Sequence, residues 1–595
     1  MTVYRAPTRD MWFVLEELVP WREINALPGY EEATPDLVRA ALKEAAVLAE
    51  EVIAPTNVPG DHEGARLDPD SPGVRVPAGF KEAFEQFRAG GWTGLGDNPD
   101  FGGQGLPELL AAAVSELWQS ANLAWSNCSE LSHGAVPAIE AHASDALKTT
   151  YLPRLVDGSW TGTMNLTEPQ AGSDLALIRC TAIPKGDHHL VSGQKIFITY
   201  GDHDMADNIV HLVLARLPDA PPGVRGISLF LVPKILVGTD GSLGPPNRVT
   251  PVSIEHKLGI HGSPTCVMQY DGAVGYLVGE EHQGLACMFT MMNRARIGVG
   301  LQGLSVAERA YQNALQYAQE RVQGNLPGHD QSVTIIHHPD VRRMLMEMKA
   351  QIEAMRAVAY IGASYLDRAA CGDATERSRH GARADLLTPI IKGWITETGQ
   401  QIASLALQVF GGTGFVEETG AAQHYRDARI TTIYEGTTGI QASDLVGRKM
   451  LRDGGVAIRA LIGEMRDLEK DVESRLPDQA AAYRTGVDRL ESGVDWLFAN
   501  AGNDFAAAGA VAVNMLMLCG IVAGAQAMTR GALAASARLE AADHDASFFS
   551  AKIVTARFYN AHILPRAGAC LEAIEAGSDA VMGLTERQFE PVPLR

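Results

Sequence analysis

A glutamate placed just before a predicted helix is the clearest candidate for acid–base chemistry in this chain. Glu435 lies in the segment RITTIYEGTTGIQ and precedes Thr437 and Thr438, either of which can cap a helix over residues 439–450. A carboxylate there lies beside backbone N–H groups that can polarise a carbonyl oxygen, as removal of a proton next to a carbonyl requires. A solvated surface glutamate has the same sequence pattern, so the pattern alone leaves both interpretations open.

The segment LTEPQAGSD (166–174) is a second candidate, because it combines a sharp turn with hydroxyl groups. Gly172 would let the backbone approach a ligand closely. The hydroxyls of Thr167 and Ser173 can hydrogen-bond to a flavin ring or to a phosphate. A plain polar turn explains the same residues, so this segment too has two interpretations.

Two further segments have features of a nucleotide site. In GQKIFITYG (193–201), strand alternation would place Phe197 and Thr199 on one face, where they could line a flat ring and bond to its edge. An ordinary half-buried strand has the same alternation. In QVFGGTGF (408–415), the glycines after a helix would either admit a dinucleotide backbone or form a helix C-terminal turn.

One motif matches a dinucleotide site in its residues but not in its surroundings. GVGLQG (298–303) has the GxGxxG pattern, and Glu320 has about the spacing of a ribose-binding acid. A Rossmann site needs a strand directly before the glycines, whereas the preceding MFTMMNRARI has a helical pattern. We therefore expect these small residues to let two helices pack closely.

Hydrophobic spacing predicts the elements that must position these residues: helices, then strands, then helices. Thr34 and Pro35 suit a helix start and Pro55 ends that helix, while the Pro- and Gly-rich residues 55–79 are predicted to be loop. Short β-rich runs split by Gly, Pro and Asp predict an antiparallel β domain over residues 160–275. The predicted helices cover residues 34–54, 80–92, 107–125, 301–322, 339–370, 385–410 and 456–473, with others up to about residue 577.

Composition limits the partners and the compartment. The 595 residues include 50 Lys and Arg against 71 Asp and Glu, a net charge of −21, so nucleic acid and anionic lipid are poor partners. The seven cysteines are scattered without a CxxC pair, which predicts a reducing, cytoplasmic compartment and neither disulfides nor a metal site. The N-terminus lacks the basic and apolar regions of a secretory signal.

One segment is long enough to cross a bilayer. Residues 505–525 (FAAAGAVAVNMLMLCGIVAGA) have Asn514 as their only polar side chain. Much of the segment is Ala and Gly, which add little apolar area, and its neighbours have amphipathic helical patterns. We therefore predict a buried helix of a bundle and no membrane span.

Taken in order, five motifs resemble the signatures of the acyl-CoA dehydrogenase family: TEPQAGSD, GQKIFIT, KLGIHGSPT, QVFGGTGF and YEGTTGIQ. The resemblance covers residues 37–450, and the remaining C-terminal block is similar to a large-subunit branch. The implied fold is mainly α with a central antiparallel β domain: a helical N domain, a β-barrel-like middle domain, a C-terminal helical bundle and an additional C-terminal helical domain. The expected divisions are residues 1–33 (an N-terminal extension), 34–159, 160–280, 281–452 and 453–595.

The resemblance also implies FAD, held between the β domain and the C-terminal helices with help from a second subunit. Glu435 falls at the catalytic base. The positions that fall at FAD are Leu166, Thr167, Gly172, Ser173, Phe197, Ile198, Thr199, Arg321, Gln408, Val409, Phe410, Gly411, Gly412 and Thr437. The positions that fall at the CoA substrate are Ser173, Asn293, Arg296, Glu435 and Gly436.

The implied reaction removes an α-proton to Glu435 and the β-hydrogen as hydride to the flavin, giving a trans-2-enoyl-CoA. The implied partners are an acyl-CoA, an electron-transfer flavoprotein or similar acceptor, and a second copy in a homodimer or dimer of dimers. The nearest branch acts on a short sulfur-containing acyl group in dimethylsulfoniopropionate breakdown. Three alternatives stay open: a general short- to long-chain fatty acyl-CoA dehydrogenase, an acyl-CoA oxidase, and a DNA-associated flavin stress protein, against which the acidic charge argues.

Overall fold

The computed structural model describes residues 3–68, 73–238, 240–328, 331–502, 504, 506–541 and 544–592. Their contacts divide the chain into two compact units. We call residues 3–6 and 29–298 the sheet unit. We call residues 7–28 together with the chain from Val299 onward the helical unit.

The first two helices of the chain belong to the helical unit: α1 (Thr8–Phe13) and α2 (Trp21–Asn25), with a π-helical turn between them. The sheet unit then opens with α3, which starts as predicted: the Thr34 hydroxyl accepts from the backbone N–H of Leu37 at 3.3 Å, and Pro35 is its first residue. The helices of this part are α3 (Pro35–Leu48), α4 (Asn57–Glu63), α5 (Phe80–Ala89), α6 (Glu108–Ala121), α7 (Leu123–His142) and α8 (Asp145–Val156).

Two predictions for this region are wrong. Residues 55–79 are not all loop, because α4 forms despite Pro59 and Gly60; a methyl group on Gly60 would come 2.6 Å from the Phe80 ring, so tertiary packing outweighs the weak local preference. The helix predicted over residues 107–125 is two helices. The break is at Asn122, whose extended backbone and side-chain oxygen cap α7 by accepting from a backbone N–H at 3.0 Å.

The strands of the sheet unit form a closed barrel-like sheet and two small ribbons. The order β10-β11-β5-β4-β6-β3 closes because β7 pairs with both β11 and β6. Alternate residues of β6 and β7 face the barrel interior and the helices α7 and α8. The strands are β1 (Arg66–Leu67), β2 (Val74–Arg75), β3 (Trp160–Asn165), β4 (Thr181–Lys185), β5 (His188–Thr199), β6 (Asn208–Arg216), β7 (Ile227–Pro233), β8 (Ile235–Val237), β9 (Leu243–Pro246), β10 (Val249–Ile254) and β11 (Thr265–Val278).

The sheet is mainly antiparallel, as predicted, but one long pairing is parallel. β3 runs parallel to β6, with Trp160 opposite Asn208, while the other long pairings are antiparallel. A parallel pair needs a long connection. Residues 166–207 provide it and themselves contain β4 and β5.

The rest of the chain is helical, as predicted. The division between the two units falls within the sequence of α9 (Gly284–Glu320). The predicted helix over residues 439–450 is α13 continued by a π-helical turn to Leu451. The later helices are α10 (Pro339–Ala370), α11 (Ala374–Phe410), α12 (Ala421–Thr431), α13 (Thr438–Asp444), α14 (Val456–Asp467), α15 (Glu469–Arg475), α16 (Pro477–Asn500), α17 (Ala507–Glu540), α18 (Ala546–Phe558) and α19 (Arg566–Glu575).

The long apolar helix predicted near residues 505–525 is α17. Phe505 itself lies outside the described residues. By length and composition α17 could cross a membrane, but 67% of its most hydrophobic window is buried inside the helical unit. The prediction of a buried bundle helix is therefore confirmed for the described part.

The first helix of the chain packs among the last ones. Phe13 of α1 lies 5.7 Å from Phe548 and 6.2 Å from Phe549, measured between ring centroids. Asp10 of α1 contacts Arg356 of α10 and Lys552 of α18. The N-terminal segment is thus an integral part of the helical unit.

Candidate active site

Glu435, the predicted base, lies in the turn between α12 and α13. Its φ is +56° and that of Gly436 is +92°, so both residues have a left-handed backbone. A non-glycine residue rarely adopts this conformation, which costs on the order of 1–3 kcal/mol. Glu435 is half-buried. A strained residue held in place by its surroundings is typical of a functional site.

Two buried side chains hold the carbonyl groups of this turn. Nε2 of Gln441 donates to the carbonyl of Glu435 at 3.1 Å, and Nζ of Lys392 donates to the carbonyl of Gly436 at 2.6 Å. A methyl group on Gly436 would come 2.7 Å from Nε2 of Gln441, so the turn has no room for a side chain there. The sequence analysis missed both residues, although a lone lysine in the apolar run TPIIKGWI was a usable signal.

Hydroxyl groups fix the residues on either side of Glu435. Thr437 caps α13 as predicted, because its Oγ1 accepts a backbone N–H of the first turn at 3.3 Å. The Thr438 hydroxyl donates to the Glu397 carboxylate at 2.6 Å, and the Tyr434 hydroxyl donates to Oε1 of Gln302. Contacts from α9, α11 and α13 therefore converge on this turn.

Glycines let α9 and α11 approach closely. A methyl group on Gly399 would come 2.4 Å from the carbonyl oxygen of Gly303, and one on Gly303 would come 2.8 Å from Cα of Thr396. The helix α9 runs unbroken through GVGLQG. The prediction that these residues serve helix packing is confirmed, and α11, which carries Lys392, is seated on the helix that carries Gln302.

The predicted glycine turn after α11 is a helix C-terminus. Gly411 has a φ of +62° and ends the helix after Phe410. A side chain on Gly411 or Gly412 would meet nothing within 4 Å, so the backbone there is open. Gln408 is exposed but Val409 is buried, so a ligand at this turn would meet only the backbone of Val409.

Tyr317 connects this turn to the predicted cofactor residue Arg321. The Tyr317 ring stacks on Phe410 with centroids 4.4 Å apart at 22°, and its hydroxyl donates to Oγ1 of Thr413 at 3.5 Å. Arg321 lies one turn farther along, just after α9 ends, and is exposed. Tyr317 was not predicted as a site residue, although it lies one helical turn before Arg321, whose backbone N–H donates to its carbonyl at 2.8 Å.

In the sheet unit, a buried ion pair holds LTEPQAGSD against β5. Nζ of Lys195 lies 2.8 Å from the Glu168 carboxylate and donates to the carbonyl of Leu166 at 2.9 Å. The backbone N–H of Ile196 donates to the carbonyl of Thr167 at 2.9 Å. The structure thereby brings two predicted cofactor residues next to the end of β5.

The Glu168 carboxylate shapes this turn. It also accepts the backbone N–H groups of Arg179 at 2.6 Å and Cys180 at 3.1 Å. Burial by itself would raise the pKa of Glu168, but the Lys195 ammonium and these two N–H groups hold it below its usual value. Both residues lie within predicted motifs, but neither Glu168 nor Lys195 was predicted to have a role.

The end of β5 is bulged, so the regular alternation expected there is interrupted. Between Lys195 and Ile198 the strand has one residue more than β11 opposite. Phe197 in the bulge has a φ of +59° and is 58% exposed, whereas Ile198 is buried in the barrel. Thr199 is half-buried, and its carbonyl accepts the Thr163 hydroxyl at 2.8 Å. The bulge directs an aromatic ring outward.

Gly172 and Ser173 lie just after the tight pairing of Glu168 with Ala171. Both are exposed. A methyl group on Gly172 would meet nothing within 4 Å, so the packing of the chain itself does not require a glycine there. An open backbone stands beside an exposed hydroxyl, as the sequence pattern indicated.

The predicted CoA residues on α9 have different surroundings, since Asn293 is exposed and Arg296 is buried. Between them, Arg294 lies 2.8 Å from the Glu108 carboxylate, and His133 lies 3.3 Å from the same group. Burial would raise the pKa of Glu108, but Arg294 and His133 together lower it to about 2. The sequence analysis missed this cluster, which joins α6, α7 and α9.

Each unit by itself has features that suit a flavin nucleotide. The sheet unit has the exposed ring of Phe197 and the open backbone at Gly172, which suit a flat ring and a close-lying chain. The helical unit has the open glycine turn and the exposed Arg321 guanidinium, which suits a phosphate. Among the described residues, no group of three or more His, Cys, Asp or Glu is placed to hold a metal ion.

Family models match most of the chain in consecutive segments. The N-terminal, middle and C-terminal domains of acyl-CoA dehydrogenase match residues 39–159, 163–273 and 282–451. An acetyl-CoA dehydrogenase C-terminal-like domain matches residues 461–585. The chain therefore belongs to the acyl-CoA dehydrogenase family, and it is an oxidoreductase that dehydrogenates acyl-CoA thioesters.

Relatives match nearly the whole chain. The 3-methylmercaptopropionyl-CoA dehydrogenase of Ruegeria pomeroyi is 47% identical over 97% of this chain and 99% of its own length. The broad-specificity linear acyl-CoA dehydrogenase of Mycobacterium tuberculosis is 33% identical over 99% of this chain and 100% of its own. An acyl-CoA dehydrogenase from Bacillus anthracis, solved complexed with FAD, shares the fold at a TM-score of 0.74 and 19% identity, covering 93% of this chain and 90% of that one.

Proposed function

We propose that this enzyme oxidises 3-methylmercaptopropionyl-CoA to methylthioacryloyl-CoA in dimethylsulfoniopropionate breakdown, with FAD as its cofactor and Glu435 as its base. The substrate rests on the 47% identity to the Ruegeria pomeroyi relative over nearly the full length of both chains. The observation that carries the chemistry is a half-buried glutamate on a strained turn. The carbonyls of Glu435 and Gly436 in this turn accept hydrogen bonds from the buried side chains of Gln441 and Lys392.

The thioester α-C–H is a weak acid, so its removal needs a positioned base and donors for the developing enolate oxygen. Glu435 takes the α-proton, and its backbone N–H is one donor. Because the carbonyls of Glu435 and Gly436 are both held, the two peptide groups on either side of Gly436 are fixed before substrate binds, and the first of them directly follows Cα of Glu435. When bound, FAD supplies the acceptor for the β-hydrogen and its electron pair.

The remaining predicted residues bind and orient. Phe197 and Thr199 face the flavin ring, while Thr167, Ser173 and the turn at Gly172 bond to its edge or phosphate. Around the nucleotide, Arg321 and the backbone of Gln408–Gly412 hold the phosphates and sugar. Asn293 and Arg296 serve the CoA thioester end, together with Ser173 and Gly436.

A panel of acyl-CoAs tests the substrate. Anaerobic titration of the purified holoenzyme with 3-methylmercaptopropionyl-CoA should bleach the oxidised flavin spectrum. In turnover assays with an electron acceptor, this substrate should have a higher kcat/KM than butyryl-CoA or palmitoyl-CoA. Since a hydrophobic pocket distinguishes one extra methylene by about 10–200-fold, the preference should be visible in kcat/KM. Equal or better turnover of long linear chains would instead assign a general fatty acyl-CoA dehydrogenase.

The base is tested by Glu435→Gln, with Glu418→Gln as a matched control at an exposed glutamate of a short 3-10 helix. We expect Glu435→Gln to bind acyl-CoA and retain FAD but to lose at least 1,000-fold in the rate of flavin reduction, since no group is left to take the α-proton. Glu418→Gln should match the wild type. Normal bleaching by Glu435→Gln would refute the assignment.

We further propose that electrons leave to an electron-transfer flavoprotein or similar acceptor. The enzyme is a cytoplasmic homodimer or dimer of dimers. Residues 1–33, 34–159, 160–280, 281–452 and 453–595 are its five divisions. Retention of reduced flavin in air until an electron-transfer flavoprotein is added supports a dehydrogenase; rapid peroxide formation supports an oxidase.

A further inference from the structure

We propose that Lys392 is a positioning residue for the reaction: through the carbonyl of Gly436, its ammonium holds Glu435 in the left-handed conformation from which it removes the α-proton. The inference rests on the proposed role of Glu435. Lys392 acts from behind the turn, since its side chain is 0% exposed.

Because Lys392 is buried, its ammonium group needs hydrogen-bond acceptors within the protein. An ammonium enclosed within protein must be satisfied by acceptors, because an unpaired buried charge is very unfavourable. Nζ of Lys392 donates to the carbonyl oxygen of Gly436 at 2.6 Å, a short, charge-assisted hydrogen bond. The lysine therefore holds that carbonyl, and outward movement of the turn would break this charge-assisted hydrogen bond.

A second donor completes the geometry. Nε2 of Gln441 holds the carbonyl of Glu435, which is the peptide just before the one that Lys392 holds. Peptide groups are planar, with C=O and N–H pointing in opposite directions, so fixing these two carbonyls fixes the planes on either side of Gly436. The first of these planes directly follows Cα of Glu435, so the ψ of Glu435 is restricted as well. The φ of +56° at Glu435 is strained, and such a conformation persists only where the surroundings determine it.

The close packing of α11 on α9 makes Lys392 a fixed point. Lys392 lies between Ile391 and Thr396 in α11: a methyl group on Gly300 would come 2.5 Å from Ile391, and one on Gly303 would come 2.8 Å from Thr396. The same α9 segment supplies Gln302, whose amide oxygen accepts the Tyr434 hydroxyl at the start of the turn. The small residues of the GVGLQG motif thus let α9 pack closely against α11, the helix that carries Lys392.

A structural role alone and a positioning role predict different kinetics. If Lys392 only stabilises the fold, its loss lowers melting temperature and leaves the chemistry of the folded fraction intact. If it positions Glu435, its loss slows proton abstraction in fully folded, flavin-loaded enzyme. The affinity for acyl-CoA stays the same, because the interactions that bind the ground state are not affected.

The test compares Lys392→Met and Lys392→Gln with Lys552→Met in the holoenzyme. Lys552 is also a buried lysine of the helical unit, but it contacts Asp10 and Glu353. Flavin content, the Kd of a non-reacting acyl-CoA analogue and the single-turnover rate of flavin reduction are measured for each. We expect Lys392→Met to lower the rate 30-fold or more with Kd within threefold, Lys392→Gln to lie between, and Lys552→Met to lose stability but not rate.

A double variant separates the two hypotheses. In Glu435→Gln, adding Lys392→Met should change the residual rate less than twofold, because the lysine acts only through the glutamate. If Glu435→Gln alone keeps the wild-type rate, the proposed function fails. If Glu435→Gln is inactive but Lys392→Met and Lys392→Gln reduce flavin at the wild-type rate, or if the losses multiply in the double variant, the positioning role of Lys392 is overturned.

Discussion

Lys195 and Glu168 form an ion pair at 2.8 Å inside the sheet unit, with side chains 0% and 3% exposed. Removing one partner of a buried pair leaves a charge without compensation, which costs about 3–5 kcal/mol. We therefore expect Lys195→Met to lower the free energy of unfolding by that amount and to reduce flavin content, because the segment beginning at Leu166 loses its anchor. Urea unfolding and the flavin-to-protein absorbance ratio measure both effects.

The control for this prediction is Lys185→Met, on an exposed position of β4. A surface substitution of this kind should change stability by less than about 0.5 kcal/mol. Wild-type stability and flavin content in Lys195→Met would contradict the importance of the buried pair.

Replacement of two glycines of α11 by alanine should change the stability of the protein in opposite directions. Gly399→Ala places a methyl group 2.4 Å from the Gly303 carbonyl oxygen, so we expect overpacking to cost about 1–3 kcal/mol. Gly381→Ala fills open space in α11 and should stabilise by about 0.5–1 kcal/mol, because it removes freedom from the unfolded chain. Thermal melting of the two variants decides the matter, and equal shifts would rule out close packing at Gly399.

Asp10 and Asp545 both pair with cations in the helical unit but differ in burial. Asp10 contacts Arg356 and Lys552, whose side chains are 1% and 8% exposed. Asp10→Asn removes one carboxylate from each of these buried cations, which keep Glu308 and Glu353 respectively, and should cost about 1.5–3 kcal/mol. Asp545→Asn breaks an exposed pair with Arg9 and should cost at most about 1 kcal/mol. Similar losses in urea unfolding would contradict this difference.

The Glu108–His133 pair should make stability depend on pH in two ranges. The pKa of Glu108 is lowered from 4.5 to about 2, so its contribution is present above pH 4.5 and is lost as the pH falls through about 2. Burial would lower the pKa of His133, but Glu108 raises it above 6.5. The contribution of His133 is therefore full below pH 6.5 and is lost as the pH rises through the folded value.

The measurement is the melting temperature of the wild type and of His133→Gln across this pH range. The variant should be less stable than the wild type below pH 6.5, by about 1.4 kcal/mol for each unit by which the histidine pKa is raised. The difference should shrink at alkaline pH, where the histidine is neutral in both folded and unfolded chains. If the difference in stability stays constant with pH, the charge of His133 does not contribute to stability.

Local signals in the sequence predicted the helices well. Thr34 and Pro35 start α3 as expected, and the helix predicted over residues 339–370 is α10 to the residue. The GVGLQG segment was correctly placed in a helix, because the absence of a preceding strand is itself a local pattern. Capping residues and apolar periodicity are properties of a short window, so one sequence is enough to find them.

What the sequence could not predict depends on distant residues. Nothing near Lys392 indicates that its partner is a carbonyl 44 residues later, and nothing near Phe197 indicates a bulge set by β11. The break at Asn122 was missed because apolar periodicity continues across it, and the parallel pairing of β3 with β6 depends on the whole barrel. The motifs predicted the candidate site residues, but no local pattern predicted Lys392 or Gln441, which hold the turn at Glu435.

The pairing of Arg9 with Asp545 joins residues 536 positions apart. A ribosome adds roughly 5–20 residues each second, so α1 emerges about half a minute to two minutes before α18 exists. During that interval Phe13 of α1 lacks its native ring partners Phe548 and Phe549, so part of α1 is an apolar surface that chaperones would cover. Newly made chains should therefore reach the native state only after translation ends, and shortening the gene from its 3′ end should leave α1 prone to aggregation.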